Sequence, residues 1–270
     1  IYTYIQKNYI NTYRQVIKIT LNNLGVKIIH FRSFATDVEY QELSYDVLKA
    51  LKKLYKNSSI KIWNKDDLSD VIVDYAENYK HGYGYFIWKP YLLNKEIRKI
   101  EKGDILFYVD GRSGLSRKKI YQIRNQIFKI SWVNKFLKDT QKDILVWSMD
   151  HNIQKSWTTG DIMDIFNVSF DSDLAKSGQY SATFFAIRVN EDTVNFIEKW
   201  FQTMNKYIDF SRDEVSIKPN HKTFSENRYD QSFFSMTLKT YKNNLSIQKV
   251  SNHDIFDNQT LIPHMKKHPK

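Results

Sequence analysis

The sequence predicts a single α/β domain built on a mostly parallel sheet flanked by helices, and three observations carry that expectation. Short apolar, β-rich runs bounded by turn residues alternate with helix-periodic segments in β-α-β-α order at the amino end, which implies parallel strands joined by right-handed crossovers. The clearest of these runs, Ile105 to Val109, is apolar throughout between Gly103-Asp104 and Asp110-Gly111, the pattern of a strand buried on both faces. No linker, repeat or low-complexity tract divides the 270 residues, a length that buries a substantial core.

Taken in order, residues 1–25 carry Ile10, Tyr13, Val16, Ile17, Leu21 and Leu24 at helix-like spacing and form an expected N-terminal helical segment; the α/β domain is expected over 26–270. Val26 to Phe31 is the first strand, leading into Arg32-Ser-Phe-Ala-Thr-Asp37. A helix follows over Tyr45–Tyr55, with Val47, Leu48, Leu51 and Leu54 on one face. Ile60–Trp63 is the second strand, and Asp66 and Asp67 open a helix through Val71, Ile72 and Tyr75. The run His81–Tyr91 then sets four aromatics (Tyr83, Tyr85, Phe86, Trp88) around Gly82 and Gly84, residues free to adopt positive φ. It ends in Lys89-Pro90, and Pro90 suits the first turn of a helix to about Lys99. Beyond Asp110, helical spacing covers Lys118–Leu137, Ile144–Trp147 is a strand, and Ser156–Asp161 opens a helix with Thr or Asp as its cap. Ser181–Arg188 is a long strand, Glu191–Asn205 a strongly periodic helix, Ser211–Glu226 a polar loop and Tyr229–Tyr241 a helix. A short strand and a His-bearing tail follow from Leu245.

Composition narrows the function classes. With no cysteine, disulfides, thiolate metal sites and thiol catalysis are excluded. No apolar run approaches the roughly twenty residues a bilayer crossing needs, and the first residues lack signal-peptide features. The expected location is therefore cytoplasmic, with peripheral contact to an anionic membrane face as an option. The chain opens on Ile1 rather than Met, so flanking regions are expected. A formal charge of +11, from 41 Lys+Arg against 30 Asp+Glu, favours anionic partners. The basic residues are spread along the chain, which equally describes a solvated surface.

The chemistry-bearing positions each have two readings. Asp110, at a strand's carboxyl end, either holds a divalent cation that carries phosphate oxygens or caps its loop. Lys89 beside Trp88 either clamps a phosphate or sugar hydroxyl or is solvated beside a core ring. Trp157-Thr-Thr-Gly-Asp161 places hydroxyls and a carboxylate at a helix start, where capping alone accounts for them. Arg228-Tyr-Asp-Gln-Ser232 puts Asp230 and Gln231 at another helix start, able to bind hydroxyls, to act as a base, or to cap. His264 and His268 stand four apart between Pro263 and Pro269. There is no zinc-type cluster, no P-loop and no G-x-S-x-G elbow.

Taken together, "GYGYFIWKPYLL", "GDILFYVDGR", "WTTGDI" and "NRYDQSFFSMTLK" resemble, in order and spacing over roughly residues 26–240, a group of GT-A-like glycosyltransferases found in bacterial capsule and lipopolysaccharide clusters and in some large viruses. The resemblance implies a Rossmann-type sheet holding a nucleotide sugar and transfer to a hydroxyl of a glycan or glycolipid acceptor, with no nucleic-acid partner. Phe34, Ala35 and Thr36 would border the base, with Trp88, Lys89, Tyr108 and Arg112 completing the donor site. Asp110, Asp161 and Asp230 would be the catalytic carboxylates, and Trp157, Arg228 and Gln231 would meet the acceptor. Either a Mn²⁺ or Mg²⁺ ion would sit on Asp110, with His264 as a second ligand, or Lys89 and Arg112 would take over the diphosphate's charge. The sequence departs from the group's pattern at Tyr108, where the first carboxylate of Asp-x-Asp would stand, and at Asn227, where His is usual. The alternatives are a basic-surface module for nucleic acid or an anionic glycan, and a degenerate transferase that binds nucleotide without turnover.

Overall fold

The protein's structure is a computed structural model that describes residues 28–111, 130–212, 216–241 and 245–251. Six strands, β1 (Ile29–Phe34), β2 (Ser58–Trp63), β3 (Ile105–Val109), β4 (Ile144–Ile153), β5 (Gly178–Arg188) and β6 (Ile247–Ser251), form one sheet in the order β2-β1-β3-β5-β4-β6. The pairs β1–β2, β1–β3 and β4–β6 are parallel, while β5 runs antiparallel to both β3 and β4. The principal helices are α1 (Val38–Leu54), α2 (Asp70–Asn78), α3 (Trp88–Ile97), α4 (Ile130–Lys138), α5 (Gly160–Ile165), α6 (Glu191–Lys206) and α7 (Tyr229–Thr240). The chain is therefore α/β with a mostly parallel mixed sheet flanked by helices, a form compatible with a Rossmann-like fold. Among the described residues no helix is long and apolar enough to cross a membrane.

Both faces of the sheet are covered, which is why β3 carries no polar residue. Ile105, Phe107 and Val109 pack on α1 and α4 through Leu43, Val47, Leu48, Val133 and Phe136. Leu106 and Tyr108 face the larger core, which α3, α6 and α7 supply through Leu92, Leu93, Ile97, Phe196, Trp200, Phe233 and Phe234. Helix α7 is buried along nearly its whole length, Asp230 to Leu238, so its polar residues point into the protein rather than into solvent.

Several boundaries differ from the sequence reading for identifiable reasons. Helix α1 starts at Val38 rather than Tyr45, because the Asp37 side chain caps it by accepting the Tyr40 N–H at 2.9 Å. Asp66 and Asp67 lie in a 3₁₀ turn capped by Asn64, and α2 begins only at Asp70. Strands β4 and β5 outrun the apolar segments that mark them, because they pair as an antiparallel ribbon. The expected helical segment at 1–25, the first part of the helix from Lys118, Arg112 and His264 lie outside the described residues.

From β1 the chain passes to β2 on one side and later to β3 on the other, so the sheet order reverses at β1. Crevices at the carboxyl ends of strands flanking such a reversal are where open α/β sheets take ligands. Phe34 and Ala35 leave β1 at that point, and Asp110 leaves β3 there.

Candidate functional site

The charged residues that converge at this end of the sheet come from three elements. Asp110 follows the last residue of β3, and its backbone N–H donates to the Thr183 carbonyl at 2.8 Å. Lys89 lies in the first turn of α3, and Asp230 in the first turn of α7. The Lys89 ammonium is 2.7 Å from Asp230 Oδ2 and 3.4 Å from Asp110 Oδ1, and it donates to the Ala182 carbonyl at 3.3 Å. Its side chain is 2% exposed, Asp230's 6% and Asp110's 24%, so only Asp110 has substantial access to solvent. The Tyr108 hydroxyl donates to Asp110 Oδ1. The rings of Tyr108, Phe86 and Trp88 stand 5.2, 5.3 and 5.6 Å from the ammonium, within cation–π range.

Strand β5 supplies the two carbonyls by breaking its register. Its ladder to β4 jumps from Val146–Phe185 to Ser148–Tyr180, and Tyr180 and Ala182 consequently share a core with Phe185 and Ile187. The irregularity leaves the Ala182 and Thr183 carbonyls facing Lys89 and the Asp110 amide, as bulges beside functional sites commonly do.

Burial decides the protonation states here. It pushes Asp230 up to about 6, assisted by Asp110 and opposed by Lys89. Burial by itself would lower Lys89, but Asp110 and Asp230 outweigh it and hold the group above its ordinary value. Tyr108 is driven well above the phenol range by burial and then by Asp110, so it is a neutral donor. With both carboxylates ionised the cluster carries a net charge of −1, which suits hydroxyl-rich ligands and cations better than bare anions.

The approach to this cluster is strained. Gly82, Tyr83, Gly84, Tyr85 and Phe86 all have positive φ (56°, 53°, 79°, 51° and 65°), a left-handed turn five residues long. Left-handed backbone costs about 1–2 kcal/mol per non-glycine residue. Glycine is required at two places: a Cβ on Gly82 would strike the Phe86 ring at 2.3 Å, and one on Gly84 would meet Ala76 at 3.1 Å. The turn places Trp88 so that its Nε1 donates to the Gly82 carbonyl at 3.0 Å and its ring stacks on Phe34, with centroids 4.0 Å apart.

The remaining sequence-predicted residues are distributed as follows. Ala35 is buried and its N–H donates to the Trp63 carbonyl at 3.0 Å; Thr36, two residues past the end of β1, is half-buried. Asp161 stands apart from the charged cluster in role: its Oδ2 and Oδ1 accept from the backbone N–H groups of Ile217 and Lys218 at 2.8 and 2.9 Å, which fastens the polar loop to α5. Gln231 is committed inward, donating to Gln179 Oε1 at 2.8 Å and accepting from the Ala182 N–H at 3.3 Å. The Arg228 guanidinium lies 4.3 Å over the Trp157 ring and 3.0 Å from Glu226, leaving this pair at the surface. Asn227 is buried and donates to the Ser211 carbonyl at 2.7 Å. In the Trp-Thr-Thr-Gly-Asp motif, Thr159 caps α5, and Thr158 accepts from Gln154 and Gln179 at 2.8 and 3.0 Å.

Among the described residues no three His, Asp or Glu side chains converge as metal ligands. Asp110 is the carboxylate able to hold a divalent cation there, since Asp230 is buried against Lys89. One carboxylate suffices where phosphates share the ion, so the donor set fits a cation brought with a nucleotide. An open cleft lined by Gln41, Glu42, Tyr45, Ile62 and Asn64 lies between α1 and the end of β2 and includes none of the charged cluster. Sequence reasoning missed the Ala182 and Thr183 carbonyls, Gln154, Gln179 and Tyr229. Apart from Tyr229, which adjoins Asp230, nothing in local spacing marks them. Comparisons with protein-family models, with curated proteins and with solved structures found no match.

Proposed function

We propose that the protein is a glycosyltransferase that moves a sugar from a nucleotide-sugar donor to a hydroxyl of a glycan or glycoconjugate acceptor. The observation that carries this reading is the Lys89–Asp110–Asp230 cluster at the carboxyl ends of the central strands, where the sheet order reverses. It brings together three residues that the motif resemblance had singled out separately.

In this reading the donor lies across the ends of β1 and β3, with its sugar hydroxyls toward Asp110. Asp230, raised to about 6, has the basicity to take a proton from an acceptor hydroxyl near neutral pH, and acceptor binding would have to give that hydroxyl access to its 6%-exposed side chain. As that proton passes to the carboxylate, the hydroxyl oxygen bonds to the anomeric carbon and the bond from that carbon to the diphosphate oxygen breaks. Such a direct displacement inverts the anomeric configuration. Lys89 holds both carboxylates in place and keeps Asp230 ionisable despite its burial. A divalent cation held by Asp110 and the phosphates would neutralise the charge leaving with the diphosphate.

The test is a thermal-shift panel of UDP, GDP, CMP, ADP and their sugars, with Mn²⁺ and with EDTA. A ligand at about a hundred times its Kd adds roughly 2.7 kcal/mol of stability. One nucleotide class should stabilise the protein, and Asp230→Asn should abolish sugar transfer while keeping that stabilisation. No shift with any nucleotide overturns the reading. A second reading, nucleotide binding without turnover, draws on Tyr108, whose hydroxyl occupies the carboxylate a cation would use. Detectable transfer or donor hydrolysis, lost in Asp110→Ala, eliminates it.

A further inference from the structure

We infer that His81, Tyr85, Phe86 and Tyr229 form a platform for the apolar face of the acceptor's sugar ring, held over the Lys89–Asp230 pair by the left-handed turn. The inference rests on the glycosyl-transfer reading and adds where, and through which chemistry, the acceptor is held.

Two independent observations support it. The first is backbone strain concentrated in ring-bearing residues that stay only partly buried, although Phe86 also packs against the core. Of the five left-handed residues only Gly84 is buried; Tyr85 and Phe86 are part-exposed, and the preceding His81 is exposed. Tyr229, which meets them from α7, is itself left-handed, at φ 47°. Strained conformations maintained for rings that remain at the surface point to a use for those rings.

The second is the arrangement of the rings. Tyr229 is the hub, with centroids 4.5 Å from His81, 5.5 Å from Tyr85 and 6.1 Å from Phe86. These pairs are tilted by 48°, 41° and 36°, so the rings present faces in several directions rather than as a parallel pair. A sugar ring directs several C–H bonds, each slightly positive, onto the negative faces of such rings. The cluster also adjoins the proposed base. Tyr229 precedes Asp230 in the chain, and the Phe86 ring lies 5.3 Å from the Lys89 ammonium that holds Asp230. A sugar seated on the platform would therefore lie beside the Lys89–Asp230 pair.

The experiment measures binding of the methyl glycosides of glucose, galactose, mannose and N-acetylglucosamine by saturation-transfer NMR. The proteins are the wild type, His81→Ala, Tyr229→Ala and Tyr229→Phe, with nucleotide binding followed in parallel by thermal shift. At least one glycoside should bind, and loss of a ring in His81→Ala or Tyr229→Ala should weaken it roughly three- to tenfold. Tyr229→Phe should bind like the wild type, and nucleotide binding should not change in any variant. His81 is exposed, so its variant folds whatever happens to Tyr229. Absence of glycoside binding by the wild type, or wild-type affinity in both alanine variants, overturns the platform. Loss of nucleotide binding in those variants overturns it too, by making the rings part of the donor site. Failure of the wild type to bind any nucleotide counts instead against the glycosyl-transfer reading.

Discussion

Replacing Lys89 with Met is the most informative perturbation of the site. The side chain keeps its length and apolar stem but loses the ammonium that stands 2.7 Å from Asp230 and 3.4 Å from Asp110. Asp110 is 24% exposed and regains hydration, whereas Asp230, at 6%, does not. Removing one partner of a buried pair typically costs about 3–5 kcal/mol, because the other charge is left without compensation. For a chain of this size that is a fall in Tm on the order of 10 °C. The cost should depend on pH. Asp230 has a native pKa of about 6 even with Lys89 beside it, and losing the cation moves it higher. Below pH 5 the carboxyl is protonated in either protein and most of the penalty disappears; above pH 6 it grows by about 1.36 kcal/mol per pH unit, to roughly 2 kcal/mol at pH 7.5, until the pH passes the variant's own raised pKa. Adding Asp230→Asn removes the orphaned charge and should restore most of the loss, a coupling measurable in a double-mutant cycle. Urea unfolding of the four proteins at pH 5 and pH 7.5 tests this. A penalty under about 1 kcal/mol at pH 7.5, or no rescue by Asp230→Asn, would refute the view that Lys89 compensates a buried carboxylate.

Asp230→Asn alone should flatten the acid limb of stability. The native pKa of about 6 lies above the ordinary 3.8, so between pH 4 and 6 the native state retains a proton that the unfolded chain releases. Wild-type stability relative to the variant should therefore fall by roughly 3 kcal/mol as pH rises through that window, at about 1.36 kcal/mol per unit; a pH-independent difference would count against it. Asp161→Asn removes charge-assisted bonds to the Ile217 and Lys218 amides and should cost about 1.5–3 kcal/mol. Faster proteolysis within 216–228 with unchanged nucleotide binding would identify it as a loop clamp, and lost transfer in a stably folded variant would restore it to the catalytic set. Tyr108→Phe removes a donor to Asp110 at a cost of about 1 kcal/mol and should strengthen any Mn²⁺-dependent nucleotide stabilisation; a weaker effect of Mn²⁺ would contradict the view that the hydroxyl competes for that oxygen. Gly84→Ala should lower stability by at least about 1–2 kcal/mol from its φ of 79°, and an unchanged Tm would mean the turn is not left-handed in solution.

The sheet was legible because its signals are local. Five apolar residues between turn residues mark β3 from Ile105 to Val109, and the element has those bounds. Strand direction is not local, and the reversal of β5 left no trace in the apolar run Ser181–Ile187. Burial on both faces makes parallel and antiparallel strands read alike. The polar starts of helices misled in both directions, one helix beginning earlier and another later than expected. Asp37 caps α1, which begins seven residues before the expected Tyr45, while Asp66 and Asp67 satisfy a single 3₁₀ turn.

At the site, the sequence marks which residue types carry charge and glycine, but not which carboxylates meet. Asp110, Asp161 and Asp230 look equivalent as loop or helix-start aspartates, and each has a capping explanation. The fold separates them by what their oxygens face. Asp161 accepts from two backbone amides, one at each oxygen, whereas Asp230 faces one ammonium inside the protein. That difference arises in β5. Its register shift directs the Ala182 carbonyl toward Lys89, the Ala182 N–H is taken by Gln231, and α7 is thereby fixed with Asp230 against the ammonium. Gln231, expected to meet an acceptor, acts one step back from it by setting where the neighbouring carboxylate lies. A Gln231→Ala variant should therefore change the pH dependence of transfer through Asp230 rather than the affinity for glycan, and a selective loss of glycan affinity would return Gln231 to the acceptor site.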